Sequence, residues 1–319
     1  GDLNIEISNI DSNSRNIKEN GLFVAIKGFD TDGHNYIKEA IKKGAVAVIA
    51  SIDADKKIIK EIMDKVTVIL APDTRFALAI CACNFYNHPS SKFKLVGITG
   101  TKGKTTTSFM VKRILEKAGK KVGLIGTIAT YIGDEKLEDS DRTTPESIKL
   151  QQIFSKMARE KCEVVVMEVS SQSLKLNRVA GCDFDIGVFT NFSEDHISAK
   201  EHPDMKDYFE SKLKLLDMCK TCFVNADDLQ TSKIPKLLPE KNISTYGIDN
   251  YCNLLAKDIT VTNSFVDYKV KIGTRNERIK IDIPGRFSVY NSLAAIAITT
   301  KLGCGAEEIK SALLDLKKN

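Results

Sequence analysis

The chain has 319 residues, 42% hydrophobic and 28% charged, and its 47 Lys and Arg against 42 Asp and Glu leave a net charge of +5. That length suits about two domains with sizeable cores, and a charge this mild does not imply a nucleic-acid partner. The longest apolar runs, such as 45–50 and 164–167, are too short to cross a bilayer, and no basic, then apolar, then small-residue opening predicts a signal peptide.

In chain order, the first ninety or so residues read as a small α/β unit. Apolar runs at 22–26, 46–49 and 66–70 predict strands, and helical spacing at 36–43, 55–65 and 75–86 predicts helices between them. The turn-forming stretch His88-Pro89-Ser90-Ser91 marks the predicted boundary between a domain over 1–90 and a second over 91–319. The pattern then restarts, with strands at 94–98, 122–125, 164–169, 185–190 and 222–225 and helices to about 117 and at 147–160 and 207–219. Strands alternating with helices predict βαβ units and a mostly parallel sheet. From 254 to 283 a period-2 alternation predicts a small antiparallel sheet, and helices return at 289–302 and 306–317. The fold class is therefore α/β: a small N-terminal domain followed by a phosphate-loop domain.

The eight cysteines scatter through apolar surroundings, with one CxxC at Cys219 and Cys222. A single pair is a weak zinc signal, so reduced core thiols in a cytoplasmic protein are expected.

Thr99-Gly100-Thr101-Lys102-Gly103-Lys104-Thr105-Thr106 lies between a predicted strand and a predicted helix. Glycines let backbone N–H groups converge on phosphate oxygens, and a helix N-terminus adds partial positive charge. Lys104 can reach the outer phosphates and Thr105 can hold Mg²⁺. The strict GxxxxGK[ST] spacing is not met, since position 98 is Ile, and the loop alone does not separate kinase, ATPase or ligase. Glu168 ends a predicted strand on the same sheet edge; a carboxylate there can hold Mg²⁺ directly or through water, or be a capping or solvated strand-end residue. His196 also follows a strand end. Lys212 falls within a predicted helix, where a solvated lysine is the plain reading. Thr143-Thr144-Pro145 opens a helix, so Thr144 reads as a cap or as a substrate contact.

Together these motifs carry a family resemblance. The phosphate loop is followed by Thr143-Thr144-Pro145, Met167-Glu168-Val169-Ser170-Ser171, Asn177-Arg178-Val179, Thr190-Asn191-x-Ser193-x-Asp195-His196, Tyr208-x-x-Ser211-Lys212 and Gly285-Arg286-Phe287-x-Val289-x-Asn291-Ser292. The N-terminal stretch adds Asp11-Ser12-Asn13-Ser14-Arg15 and Thr31-Asp32-Gly33-His34. Essentially the whole chain resembles the Mur ligase family, in particular its UDP-N-acetylmuramoyl-tripeptide synthetase branch.

The resemblance implies an ATP-dependent ligase of peptidoglycan synthesis, cytoplasmic and monomeric, that joins meso-diaminopimelate or L-lysine to UDP-N-acetylmuramoyl-L-Ala-D-Glu through an acyl phosphate. Carried over by position, it implies that Gly100, Thr101, Lys102, Gly103, Lys104, Thr105 and Thr106 bind ATP, with Asn291 facing adenine. Ser14 would hold the uridine end, and Thr143, Thr144, Ser170 and Arg178 the muramoyl-dipeptide. Thr105 and Glu168 would serve one Mg²⁺ and His196 a second, Lys212 would be carbamylated and so able to ligate Mg²⁺, and Lys104, Glu168, His196 and Lys212 would be the catalytic set. Departures from the family pattern include Lys102 where Asn is frequent, Gln172 where His is frequent, and an inserted Glu201-His202-Pro203. The resemblance also implies a third, amino-acid-binding domain after Asn319, so the chain is expected to be a two-domain portion that binds substrate without completing the tripeptide. A stand-alone nucleotide- and UDP-sugar-binding module and a folylpolyglutamate-type ligase are the alternatives.

Overall fold

The computed structural model describes residues 2, 4–195, 197–198 and 201–316. Two compact units emerge. One comprises Gly1–Pro89 with Glu146–Ile153 and Leu176–Gly181, and the other Ser90–Pro145, Phe154–Lys175 and Cys182–Asn319.

The first unit is built on a parallel four-stranded sheet of β1 (Asn9–Asp11), β2 (Gly21–Val24), β3 (Ala45–Ser51) and β4 (Thr67–Ala71), in that order. Helices α1 (Ile37–Lys42), α2 (Lys56–Ile62) and α3 (Thr74–Phe85) connect or follow the strands. Phe23, Ala25, Val48 and Ala50 face α1 and α2, while Leu22, Val24, Ala47 and Ile49 face α3, which is why β2 and β3 read as unbroken apolar runs. Helix α3 starts where the Asp73 carboxylate accepts the N–H groups of Arg75 and Phe76 at 2.9 and 3.0 Å.

The second unit carries β5 (Lys94–Thr99), α4 (Lys104–Lys117), β6 (Val122–Ile125), β7 (Ala129–Ile132) and β8 (Glu135–Asp139). These are followed by α5 (Ser147–Arg159), whose residues up to Ile153 belong to the first unit, and by β9 (Val164–Glu168), α6 (Ser171–Lys175), β10 (Phe184–Phe189), α7 (Met205–Met218), β11 (Cys219–Asn225), α8 (Ile234–Leu237), β12 (Ile243–Gly247) and β13 (Leu254–Leu255). Its sheet has the order β13-β12-β11-β10-β5-β9-β6-β7-β8, parallel except for the β6-β7-β8 end. Strands β14 (Lys257–Val261), β15 (Val266–Ile272) and β16 (Arg275–Ile281) form a separate antiparallel sheet. Helices α9 (Arg286–Lys301) and α10 (Ala306–Leu314) complete the unit. The antiparallel sheet buries Val266, Tyr268, Val270, Ile272, Ile279 and Ile281 in the core that α4, α9 and α10 share, each worth about 1.5–3 kcal/mol when fully covered. The period-2 reading therefore holds from 257; Leu254 and Leu255 instead pair parallel with β12, at the edge of the main sheet.

All eight cysteines are thiols. Cys219 and Cys222 are buried where α7 passes into β11, and their Sγ atoms donate to the carbonyls of Leu215 and Leu216 at 3.0 and 3.4 Å. No helix among the described residues is long and apolar enough to cross a membrane.

Candidate functional site

Strand β5 is the point at which the strand order reverses: the chain goes on to β6 and β9 on one side and to β10, β11 and β12 on the other. In parallel sheets the crevice for ligands opens at the carboxyl ends of the strands flanking such a point. The loop Gly100-Thr101-Lys102-Gly103 occupies that place and leads into α4, a helix whose first turn presents N–H groups and partial positive charge. Gly100 has φ +140° and Gly103, the N-cap, φ +85°, conformations that side chains disfavour. A Cβ at Gly100 would land on Thr190 Oγ1 and one at Gly103 on Asn291 Oδ1, so both glycines are also required by space.

The end of β10 clasps this loop. Thr101 N donates to Asn191 O at 3.0 Å and Lys102 N to Asn191 Oδ1 at 2.9 Å. The Asn191 amide and the Thr190 hydroxyl both donate to Lys102 O at 2.8 Å. Thr101 Oγ1 accepts from Ser193 N at 3.1 Å, and Tyr208 Oη lies 3.4 Å from it. Lys102 itself is exposed, and Thr106 is half-buried on the first turn of α4.

Two lysines converge on the loop. Lys104 Nζ donates to Gly100 O at 2.8 Å and Thr101 O at 3.1 Å, and Lys212 Nζ, from α7, donates to the same Gly100 carbonyl at 3.1 Å. Lys212 is only 2% exposed and lies over the Tyr208 ring, 4.5 Å from its centroid, which corrects the plain reading of a solvated helix lysine. Burial pushes the Lys212 amine well below the ordinary lysine range, and the Lys104 charge adds to that shift while Asp195 opposes it. Burial also lowers the half-buried Lys104, against the opposing charges of Glu168 and Asp195.

On the other side of β5, Glu168 closes β9 with its side chain fully buried. Its Oε2 accepts the Thr105 hydroxyl at 2.9 Å and the Thr127 hydroxyl at 3.0 Å, and its Oε1 accepts Thr127 N at 3.1 Å. Gly126 leaves room for this carboxylate, since a Cβ there would strike Oε1. Thr143 Oγ1 lies 3.1 Å from the Thr127 hydroxyl. Thr144 donates to Glu168 O at 3.0 Å and accepts Ser170 N at 3.0 Å, so its hydroxyl ties the loop to the end of β9. The structure thus brings together Gly100 to Thr106, Glu168, Lys212, Thr143, Thr144 and Ser170, with Asn291 buried on α9 beside Gly103. His196 lies outside the described residues.

Ser14 and Arg178 belong to the first unit. Ser14 is buried, donates to Glu39 Oε2 at 3.1 Å, and lines a cavity of about 680 Å³ with Asp11, Arg15, Thr31, Tyr36 and Arg75. Arg178 is mostly buried and pairs with Glu146 at 2.9 Å. Sequence reasoning missed Thr127 and Tyr208 as site residues. Thr127 follows Gly126 directly after β6, so the rule that ligands gather at the ends of parallel strands could have found it. Nothing in the sequence signals that Tyr208 faces the loop.

Two family models match the chain: the Mur ligase middle domain over residues 98–299 and the Mur ligase family catalytic domain over 6–86. Among curated relatives, a UDP-N-acetylmuramoyl-L-alanyl-D-glutamate--2,6-diaminopimelate ligase of Caldanaerobacter subterraneus subsp. tengcongensis is 47% identical over 314 residues, covering 98% of this chain and 63% of the relative. Diaminopimelate ligase 1 of Clostridium acetobutylicum is 42% identical with the same coverage. The chain therefore spans 63% of the length of these relatives. Among solved structures, a ligase of the same name superposes with a TM-score of 0.83 at 20% identity, covering 98% of this chain and 63% of that one. MurF of Thermotoga maritima in complex with ADP gives 0.58 at 18%, covering 98% and 66%. At these identities the structural likeness bears on the fold alone.

Proposed function

The chain belongs to the Mur ligase family, and from that premise we propose that it carries the ATP- and UDP-sugar-binding machinery of a ligase joining 2,6-diaminopimelate to UDP-N-acetylmuramoyl-L-Ala-D-Glu. The names of the relatives favour diaminopimelate over lysine. Residues 1–90 take the uridine end, with Ser14 in the cavity wall; residues 91–319 take ATP and the reacting carboxylate. Such a protein works as a monomer in the cytoplasm, where ATP and nucleotide sugars are found.

The observation that carries this reading is the Thr105 hydroxyl resting on the Glu168 carboxylate beside a glycine loop at the sheet's reversal point. A hydroxyl and a carboxylate at 2.9 Å are hard oxygen donors of the kind Mg²⁺ takes, so these residues fit the metal. When bound, Mg²⁺ neutralises charge on the phosphoryl group being transferred. His196 serves a second ion.

A carboxylate is a poor acyl donor because its leaving group would be oxide. Transfer of the γ-phosphoryl group to the terminal carboxylate of the dipeptide supplies a better one. The diamino acid's amine then forms the C–N bond as the C–O bond to phosphate breaks, and the amine loses its proton. The chain's contribution is positioning and charge neutralisation. Loop N–H groups and the Lys104 ammonium hold the phosphates, and Asn291 borders the adenine side. Thr143, Thr144, Ser170 and Arg178 orient the muramoyl-dipeptide. Lys212 acts as a carbamate: its lowered proton affinity supports a neutral amine, which adds CO₂, loses a proton and becomes an anion able to face a cation.

Calorimetry tests the reading. The chain should bind one equivalent of a non-hydrolysable ATP analogue with Mg²⁺ and one of UDP-N-acetylmuramoyl-L-Ala-D-Glu. Absence of both interactions would sink it.

A further inference from the structure

His202 is fully buried, and both of its ring nitrogens are occupied. Nδ1 lies 2.6 Å from Asp207 Oδ2, in the first turn of α7, and Nε2 lies 2.9 Å from Ser171 Oγ, the first residue of α6. The carboxylate can only accept, so Nδ1 is the donor in that contact, and Nε2 faces the Ser171 hydroxyl. Asp207 Oδ2 also accepts Lys175 Nζ at 2.7 Å, and the same amine donates to Glu201 O at 3.0 Å, so both ends of α6 are tied to the start of α7. The Asp204 carboxylate caps α7 by accepting Asp207 N at 2.8 Å, which fixes the position of Asp207.

Ser171, His202 and Asp207 have the contacts of a nucleophile, base and acid. Ser171 is nevertheless only 5% exposed and His202 not at all, so no substrate carbonyl reaches them. The cluster is a joint. Helix α6 begins three residues after Glu168, and α7 carries Tyr208 and Lys212. The His202 ring also packs on Tyr208, with centroids 5.0 Å apart, and Lys212 Nζ sits over the other partner of that contact, 4.5 Å from the Tyr208 centroid. A continuous series of contacts thus runs from the end of the Glu168 strand through Ser171 and His202 to Tyr208 and Lys212.

We propose that His202, held by Asp207, is a positioning residue that fixes the Lys212 amine relative to Glu168 by locking α6 to α7 and bracing Tyr208. It touches neither substrate nor phosphate. The proposal rests on the ligase reading only for why that placement matters. The placement itself is a property of the folded chain.

The test compares wild type with His202→Ala, His202→Asn and Ser171→Ala. Asn retains an amide N–H near the place of Nδ1, and Ser171→Ala removes only the Nε2 partner, so one or both should fold even where Ala at 202 does not. With ¹³C-bicarbonate, a carbamate resonance that disappears in Lys212→Ala reports the state of the Lys212 amine. The expected result is a loss of at least fivefold in His202→Ala and at least twofold in Ser171→Ala, with partial recovery in His202→Asn. Affinity for the ATP analogue without Mg²⁺ should stay within twofold throughout. Unchanged carbamate occupancy in all three variants would overturn the proposal. If wild type gives no carbamate resonance, carbamylation falls, and labelling by trace acetic anhydride decides the placement. The ratio of Lys212 to Lys104 acetylation, read by peptide mass spectrometry, should then change at least threefold in His202→Ala or Ser171→Ala, and a constant ratio would overturn the proposal.

Discussion

Gly100→Ala perturbs the loop at its tightest point. The backbone there has φ +140°, and holding a non-glycine residue in such a region costs about 1–3 kcal/mol. The new methyl group would also collide with Thr190 Oγ1, which donates to Lys102 O at 2.8 Å and accepts the Asn191 amide at 3.3 Å. Losing those two bonds adds about 0.5–1.5 kcal/mol each, so the substitution should destabilise the chain by about 2–6 kcal/mol. Thr190→Ala alone should cost about 1–3 kcal/mol by the same count. In the double variant the collision partner is gone and its bonds are lost once instead of twice, so the cost should fall short of the sum by about 1–3 kcal/mol, a coupling expected of residues in contact. Urea unfolding followed by far-UV circular dichroism measures all four corners, since the chain has no Trp to report by fluorescence. An unchanged m-value is the check that only stability moved. Gly100→Ala within about 0.5 kcal/mol of wild type would refute the conformational argument, and strict additivity would refute the collision.

Lys104→Ala should weaken binding of the ATP analogue about ten- to hundredfold, the equivalent of one charge-assisted contact, while barely moving the melting temperature, because among the described residues its amine bonds to two loop carbonyls; calorimetry showing wild-type affinity would contradict its role. Thr127→Val removes the hydroxyl contacts to Glu168 and Thr143 but keeps the N–H bond to Glu168, so the Mg²⁺-dependent part of nucleotide affinity should drop about three- to tenfold, or roughly 1 kcal/mol, and the Mg²⁺-free part should not. Burial raises the Asp227 carboxyl, but the N–H groups of Asp249, Ile248 and Asn250 and the Tyr290 hydroxyl outweigh it and hold the group below its usual range. Because the folded value lies below the unfolded value of about 3.9, its stabilisation is complete above that pH and is lost as pH falls through the folded value. Unfolding at a series of pH values should therefore show wild type losing more stability below about pH 4 than Asp227→Asn; parallel profiles would contradict it.

The elements most legible in the sequence were those buried on both faces. The run 164–168 is all apolar up to Glu168 because β9 lies between two neighbours with both faces covered, and the glycine loop's place between a strand and a helix was legible because its signal is local. The three-residue β1 and the β7–β8 hairpin went unread: β1 is too short to show a period, and β8 is an edge strand whose Glu135–Asp139 carries mostly charged side chains. Thr144 before Pro145 looked like a cap because capping is a local rule. Its hydroxyl also meets Glu168 O and Ser170 N, 24 and 26 residues away, which no local rule could show. Lys212 is the sharper case. Nothing in its own helix distinguishes it from a solvated lysine, and its burial follows from α7 packing beneath a loop 112 residues earlier.

Nucleotide phosphates are expected on the loop from Gly100 to Thr106, with a metal ion beside Thr105 and Glu168. The most direct measurement is a crystal structure of the chain with a non-hydrolysable ATP analogue and Mn²⁺, using anomalous scattering to find the metal. The expected result is an anomalous peak about 2.0–2.3 Å from Thr105 Oγ1, on the side facing Glu168, with β- and γ-phosphate oxygens within hydrogen-bond distance of Lys104 Nζ and the loop N–H groups. Phosphates bound away from this loop, or a metal peak distant from both Thr105 and Glu168, would contradict it.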